Sequence, residues 1–271
     1  MMPELMGIGD GAWEKLIQHP RLKEWRGKLE RVRRYRPHTL GEGEERLMAL
    51  VSPSLNGPDE IFSQLTNVDF QFGTVRDEDG QELELSHGTF ASLLQRKSAE
   101  VRRAAWKQYY TEFEQHAFTL AATLASSVKA DVFRARARKY SNARDHSLFH
   151  DRVPGRVYEN LVSTVRANLG PLQRYHRLRK KHLQLDRLLA ADLQVPLVQK
   201  AQRKTPYADA ARWVTEACRP LGAEYQTRLN QGLTRDRWVD RYENKGKRSG
   251  AFSSGCYQSP PYILMNYRED V

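Results

Sequence analysis

The sequence predicts a mainly α-helical protein with two small β elements. Long stretches carry apolar residues at intervals of three, four and seven, the spacing of amphipathic helices. The period changes to two near residues 70–86, and near residues 240–267 a glycine-rich run followed by the aromatic and aliphatic residues 262–267 favours extended strands. With 271 residues, of which 39% are hydrophobic and 28% charged, the chain is long enough to bury a core.

Residues 1–69 are predicted to form an N-terminal helical region. Apolar residues between positions 13 and 35 indicate one helix with a bend or boundary at Pro20. A second helix is expected from Glu42 to Leu55, and a short third one follows the Asn56-Gly57-Pro58 break.

Residues 70–86 form the predicted β-hairpin. Phe70 and Phe72 alternate with polar residues before the turn, and Leu83 and Leu85 alternate after it. An Asp-Gly pair between two alternating runs is a strong hairpin signal. A lone hairpin is marginally stable in water, so neighbouring helices are expected to cover its apolar face.

Residues 87–233 are predicted to be a helical lobe with a long central helix. Ser98 is a good N-cap, and the next proline-free and glycine-free run reaches about Tyr140. The run predicts either one helix of about forty residues or two nearly collinear helices with a break near Ser126-Ser127.

Further helices are expected to begin at Pro154 and after Thr205-Pro206. Between them, residues 192–198 (DLQVPLV) are predicted to be a short extended segment.

Composition argues against several classes of protein. No window approaches eighteen apolar residues, so we expect no membrane-spanning helix. The first residues lack the basic and apolar regions of a secretory signal. The cysteines, Cys218 and Cys256, are too few for a disulfide framework, and the sequence therefore favours a reduced, cytoplasmic location. Cys218 is expected to be buried within its helix.

The net charge of +11 leaves two interpretations. Most of the excess is arginine spread along predicted helices with acidic residues interspersed, which favours solvated helix faces over a polyanion site. The arginine-rich residues 96–139 could bind nucleic acid, with Tyr109 and Phe113 as stacking faces. Those aromatic residues lie at the spacing of a helix core, so packing is the favoured interpretation.

Sequence motifs for catalysis are few. His146 and His150 stand four apart, which places both on one helical face, but Ser147 occupies the position where a zinc peptidase helix carries its general base. Surface histidines are therefore favoured over a metal site. The sequence contains no CxxC, HExxH, GxSxG or complete P-loop motif.

Residues 234–271 contain a second predicted hairpin. Its arms are residues 247–257 and 262–267, and small residues in the first arm leave one edge unobstructed. Such an edge can bind an extended peptide through main-chain hydrogen bonds. An ordinary loop with an edge strand is an equally good interpretation of this pattern.

Several long stretches carry a resemblance to a known family. The tail resembles the segment that precedes the zinc helix in oligoendopeptidase F, of the M3 (thimet-like) metallopeptidase family. Further stretches match the same family in the same order. The resemblance therefore extends from about Trp13 to Asp270. In chain order the stretches are RYRPHTLGEGEERLMAL, EIFSQLTNVDFQFGTVRDEDGQELELSHGTF, VRRAAWKQYYTEFEQHAFTLAATLASSVKADVFRARARKYSNARDHSLF, PLQRYHRLRKKHLQLDRL and DRWVDRYENKGKRSGAFSSGCYQSPPYILMNYRED.

The resemblance implies a mostly helical, two-lobed fold around a deep channel. It also implies zinc as cofactor and endopeptidase activity on short, unstructured peptides in the cytoplasm. In the family, HExxH and a further glutamate bind zinc and activate the water, and they follow the position that matches Val271. The chain is therefore expected to be an internal portion that ends in the start of the catalytic domain, with no catalytic residue, no metal ligand and no activity alone.

The resemblance also implies a substrate-binding role for one short region. Gly250, Ala251 and Phe252 would line the cleft and contact the substrate backbone, and Tyr262 and Asn266 would lie on the partner strand. This sequence departs from the family nearby: residues 256–258 are Cys-Tyr-Gln where Ser-Tyr-Gly is common, and position 260 is proline where histidine is common.

Three functions follow as hypotheses. The first is a portion of an oligoendopeptidase with a short peptide as partner; the second is a non-catalytic peptide-binding module; the third is a basic nucleic-acid-binding protein. Under the first, neither nucleic acid nor a membrane is an expected partner. Exposed apolar surface on an isolated lobe would favour self-association.

Overall fold

A computed structural model describes residues 2–198, 204–244, 247 and 250–269. Most of these residues are helical, which confirms the mainly α prediction. The α-helices are α1 (Met2–Gly7), α2 (Asp10–Gln18), α3 (Arg26–Arg34), α4 (Glu42–Gln64), α5 (His87–Leu93), α6 (Ala99–Gln115), α7 (Ala117–Ala137), α8 (Ala143–Phe149), α9 (Gly155–Ala167), α10 (Gly170–His182), α11 (Tyr207–Ala217) and α12 (Ala223–Thr234).

Two small sheets lie among these helices, at the two places where the sequence predicts β structure. Strands β1 (Thr74–Arg76) and β2 (Glu82–Glu84) form the first, an antiparallel hairpin. The second contains β3 (Val239–Asp240), β4 (Phe252–Ser254) and β5 (Tyr262–Leu264) in the order β3-β5-β4. β4 is antiparallel to β5, and β3 is parallel to it.

The chain divides into two compact units, and the first comprises residues 1–63 and 118–169. Trp13 is fully buried there, and its indole Nε1 donates to the carbonyl of Leu5 at 3.0 Å. The imidazole of His38 stacks on Tyr140 with 3.7 Å between ring centroids, and Phe149 packs edge-on against both rings. Aromatic contacts therefore join distant parts of the sequence within this unit.

An ion pair also stabilises the first unit. Arg138 Nη1 and Nη2 donate to the two carboxylate oxygens of Glu45, each at 2.9 Å. The hydrogen bond from Arg138 lowers the pKa of Glu45 below its ordinary 4.5, against the opposing effect of burial, and a further bond from the amide of Leu40 adds to the lowering. The pair should stabilise the fold above pH 4.5, where the carboxyl group is ionised in both the folded and unfolded chains.

We predict that Glu45→Gln lowers the free energy of unfolding by about 1 kcal/mol at pH 7. The difference from the wild-type chain should disappear as pH falls through the lowered pKa of Glu45, because the carboxyl is then protonated in both states. Thermal melts at a series of pH values from 7 downward would show this. Glu60→Gln, at an exposed position of the same helix, is the control; an equal loss of stability in both variants, or a loss in Glu45→Gln that does not shrink as pH falls below 4.5, would contradict the prediction.

The second unit comprises residues 64–117 and 170–271. Its aromatic core joins the hairpin to α6: Phe72 stacks on Tyr109 at 4.6 Å, and Phe70 meets Phe113 edge-on at 4.9 Å. Val75 of β1 is also buried. The expectation that helices cover the hairpin is therefore confirmed. Burial, and to a smaller extent the neighbouring Tyr110, raises the pKa of Tyr109 to about 12.

A buried charge network lies in the same unit. Arg102 and Asp192 are 2% and 0% exposed, and Nε and Nη2 of Arg102 donate to Asp192 Oδ1 at 3.1 and 2.6 Å. The other carboxylate oxygen accepts from the amide of Leu189 at 3.0 Å. Arg179, also buried, donates to the carbonyls of Asp192 and Val195. The network ties α6 and α10 to the segment that follows Leu189.

We predict that Asp192→Ala lowers the free energy of unfolding by about 3–5 kcal/mol, because it leaves the buried guanidinium of Arg102 without its counter-charge. Chemical denaturation would measure the loss. Asp209→Ala removes the partner of Arg212, an exposed pair at 3.0 Å, and should cost about 1 kcal/mol or less. Similar losses of unfolding free energy in Asp192→Ala and Asp209→Ala would show that burial does not make the Arg102–Asp192 pair more important than an exposed pair.

Several helix boundaries differ from the predictions. The break expected near Ser126-Ser127 lies at His116, where the imidazole bonds the carbonyl of Glu112 at 2.9 Å and packs on Phe70. The predicted break at Asn56-Gly57-Pro58 is wrong, because α4 continues through it. There the side chain of Arg134, on α7, donates to Asn56 Oδ1 at 2.6 Å and helps to hold the helix.

The structure confirms one further local prediction and contradicts two others. The run from 13 to 35 forms α2, a 3₁₀ turn at Pro20–Trp25, and α3, so the boundary at Pro20 is confirmed. The predicted extended segment at 192–198 is wrong: a 3₁₀ turn at Ala190–Asp192 leads into further turns, since Asp192 is held in the buried network. Cys218 was expected to be buried but caps the end of α11 and is partly exposed.

Candidate functional site

The central strand, β5, forms backbone hydrogen bonds with β3 on one side and with β4 on the other. The amide of Ile263 donates to the carbonyl of Trp238 at 2.7 Å, and the amide of Met265 donates to that of Asp240 at 2.8 Å. In a strand, the N–H and C=O of one residue point to the same side, and the next residue points to the other side. Alternate residues of β5 therefore bond to β3, and the residues between them bond to β4.

This sharing leaves one edge of the sheet open. Ser253 lies opposite Ile263 in the register of β4 and β5. Since Ile263 directs its hydrogen-bonding groups to β3, Ser253 directs its own amide and carbonyl away from β5. Among the residues described, no strand pairs with this outer side of β4, and all three of its residues are exposed. We call this the β4 edge.

The structure brings together the residues predicted to bind substrate. Gly250 lies just before β4 with φ +88°, and Asn266 Nδ2 donates to its carbonyl at 2.8 Å. Ala251 joins Gly250 to the strand, Phe252 begins it, and Tyr262 begins β5. Their role in substrate binding stays a prediction.

The structure also shows a detail that the prediction did not contain. Phe252 lies opposite Leu264, whose backbone groups face β4, so the backbone of Phe252 is engaged within the sheet. The residue of β4 whose backbone faces outward is Ser253. The outward direction of its backbone could not be predicted from the residue type, because the direction of the amide depends on the partner strand.

Lys247 lies between β3 and β4 in the sequence and binds back to the end of β3. Its side chain is only 4% exposed, and Nζ lies 3.0 Å from Asp240 Oδ1, 3.3 Å from the carbonyl of Asp240 and 2.6 Å from the carbonyl of Tyr242. These contacts use the full donor capacity of an ammonium group. Sequence reasoning missed this lysine because the tail is rich in basic residues, and nothing local distinguishes it.

Two further contacts hold the start of this sheet. Gly232 on α12 is buried against Trp238, and a methyl group at that position would overlap the indole ring. The carboxylate of Glu243 accepts from the hydroxyl of Ser86 and lies against Gly88, where again a side chain would overlap it. A glycine within a helical run is the one signal in the sequence that could have indicated the first contact.

The histidine pair considered as a metal site is engaged otherwise. His150 Nδ1 lies 2.9 Å from the hydroxyl of Tyr35, and His146 packs on Tyr140 with 4.8 Å between ring centroids. Burial, and then the charge of Arg138, lowers the pKa of His146. Across the described ranges, no three histidine, cysteine, aspartate or glutamate side chains lie close enough together to hold a metal ion.

A membrane-spanning helix is likewise not found in the part of the chain that the structure describes, because no helix there is both long and apolar enough.

Comparisons with known proteins agree with this architecture. The profile described as "Peptidase family M3" matches residues 92–271, and one described as "Oligopeptidase F" matches residues 4–72. The first profile covers more than half of the chain. This chain belongs to peptidase family M3. The family assignment made from the resemblance is therefore confirmed.

Individual M3 relatives match almost the whole chain. Oligopeptidase PepF of Bacillus subtilis (strain 168) is 42% identical over 100% of this chain and 40% of its own length. The oligoendopeptidase F homolog of Borreliella burgdorferi is 35% identical over 99% of this chain and 45% of its own. The crystal structure of oligoendopeptidase-F from Enterococcus faecium aligns with a TM-score of 0.69 and 32% identity, over 84% of this chain and 43% of that one. The chain spans less than half the length of these relatives.

We predict that Lys247→Met loosens the β4 edge, because it removes the ammonium group that donates to the carbonyl of Tyr242 and neutralises Asp240, at a cost of about 1–2 kcal/mol. Hydrogen exchange at the amides of β4 and β5 should accelerate by about tenfold or more. Lys247→Arg, which keeps the charge, should restore part of the protection. Lys180→Met, at an exposed position of α10, is the control; unchanged exchange in Lys247→Met would overturn the prediction.

Proposed function

We propose that this chain is part of an oligoendopeptidase and supplies the surface on which a short peptide substrate binds in an extended conformation. The observation that carries the proposal is the β4 edge, where Ser253 directs its amide and carbonyl outward and no strand among the described residues pairs with them, in a protein of peptidase family M3. The names of the relatives, oligopeptidase and oligoendopeptidase, support the same class of substrate.

The geometry favours short and unstructured peptides as ligands. Pairing with a strand edge requires a peptide whose own backbone groups are free, and folded proteins have nearly all of theirs engaged. Main-chain pairing is also independent of side-chain identity, so one edge can hold many sequences. The chain's role would then be to bind the peptide and fix its direction relative to the sheet.

The proposed activity of the complete enzyme is hydrolysis of peptide bonds with zinc as cofactor, as the family resemblance implies. A zinc ion in such an enzyme polarises the scissile carbonyl and activates water. The described residues do not fit the metal, since they offer no set of three ligands. We therefore assign to this chain only peptide binding and positioning. A cytoplasmic location is part of the proposal and is supported by two cysteines that are both free.

Replacing Ser253 with proline is the sharpest test of the β4 edge. Proline removes the outward amide, while the bonds between β4 and β5 come from other residues, and an edge strand tolerates proline when its N–H faces solvent. Fluorescence anisotropy with a labelled, unstructured eight-residue peptide should show about a tenfold or greater loss of affinity in Ser253→Pro, from the lost bond and the ring that blocks pairing.

Ser253→Ala is the matched control, because it keeps the backbone and should bind within about twofold of the wild-type chain. Equal affinity of the proline and alanine variants, or no saturable binding by the wild-type chain, would refute the proposal. An affinity for nucleic acid that falls steeply with added salt would instead favour a polyanion site.

The purified chain should not hydrolyse the same peptide, because no described residue is assigned to a metal. Mass spectrometry of the incubated peptide, with and without added zinc and a chelator, would check this. Sustained cleavage that the chelator abolishes would contradict the assignment of binding alone.

A further inference from the structure

We infer that Phe252 sets the side-chain preference of the β4 edge, which favours an antiparallel peptide with an apolar residue opposite Phe252. This inference rests on the proposed function, since it concerns the same edge. It adds which peptide side chains contact the protein beside the edge, and which chemical type is favoured there.

The two faces of the sheet differ in chemistry beside this edge. Residues opposite each other in neighbouring strands point to the same face, so Phe252 shares a face with Leu264, and Tyr262 lies diagonally from Phe252 on that face. Phe252 is 52% exposed and Tyr262 is 58% exposed. The other face presents only Ser253 at the edge, with Ile263 behind it. One face therefore presents the exposed ring of Phe252 with Ser254 two positions on, and the other presents the small hydroxyl group of Ser253.

The charges near the face of Phe252 lie away from the edge. Asp240 shares this face through its pairing with Leu264, but it belongs to β3, on the far side of the sheet from the β4 edge. Its carboxylate is also bound to the ammonium of Lys247 at 3.0 Å. Among the described strand residues, an incoming side chain on this face thus meets aromatic and aliphatic groups first.

The amide and carbonyl of Ser253 point outward, and this determines which peptide residues lie beside Phe252. Antiparallel pairing, the more stable arrangement per residue, places one peptide residue opposite Ser253, where the two exchange both hydrogen bonds. The side chain of that residue lies on the face of Ser253. The peptide residues before and after it lie on the other face, beside Phe252 and Ser254.

The contact with Phe252 is also the closer kind of cross-strand pair. Because the backbone groups of Phe252 point into the sheet, the peptide residue beside it forms a non-hydrogen-bonded pair, in which the side chains approach most closely. An apolar side chain there would cover the exposed ring. A cross-strand pair of this kind corresponds to about a two- to fivefold gain in affinity.

N-methylated peptides can fix which residues face Phe252. A methyl group on a peptide nitrogen blocks pairing through that residue, so methylation of alternate nitrogens forces the unmethylated residues to bond with Ser253. In one six-residue peptide the methylated residues are leucine and the others serine. In its matched partner the methylated residues are serine and the others leucine. Fluorescence anisotropy with the wild-type chain should show about two- to fivefold tighter binding of the peptide with methylated leucines.

Substitutions at Phe252 and at a control position test whether the Phe252 side chain causes the preference between the two peptides. Phe252→Ala should bring the affinity ratio of the two peptides close to one while both still bind. Tyr257→Ala, which removes an aromatic ring that is 93% exposed in the turn between β4 and β5, should leave the ratio unchanged. If Phe252→Ala loses the sheet, as hydrogen exchange would show, Phe252→Leu serves instead and should reduce the ratio partially.

The outcomes separate this inference from the proposed function. Equal binding of the two peptides to the wild-type chain, a reversed preference, or a ratio unaffected by both Phe252 variants would overturn the inference alone. No binding of the unmethylated parent peptide would refute the proposed function, and the inference with it.

Discussion

The C-terminal region depends on how one strand divides its hydrogen bonds. Each residue of β5 has one N–H and one C=O, and both point to the same side. Ile263 and Met265 use theirs on β3, so only the intervening residues remain for β4. The outer side of β4 is left with groups that no described strand satisfies, and this is the feature on which the proposed function rests.

Strands of two and three residues cannot hold such an arrangement by themselves. The surrounding contacts compensate for their shortness. Lys247 binds Asp240 of β3, Trp238 packs on Gly232 of α12, and Asn266 donates to the carbonyl of Gly250. These contacts hold β3 and the residue two positions before β4, while no described strand pairs with the outer side of β4.

A buried charge network joins two helices of the second unit. Arg102 on α6 and Arg179 on α10 both bind Asp192, one through the carboxylate and the other through the carbonyl. A buried ion pair is costly unless its remaining polar groups are satisfied, and here backbone groups supply most of those partners. The network also explains why the segment around Asp192 turns instead of extending, since both its side chain and its backbone are held.

The sequence alone determined the features that depend on near neighbours. The helix period, the Ser98 cap, the boundary at Pro20 and the two places with β structure follow from residues a few positions apart, and the long matching stretches indicated the M3 family. Only the tertiary structure decided that α4 passes through its glycine and proline, that the long helical run breaks at His116, and that Ser253 faces outward while Phe252 presents its ring. The reason is physical: the direction of a strand's amides is set by the strand it pairs with, and β5 pairs with β3 across more than twenty residues of sequence, so no local pattern encodes it.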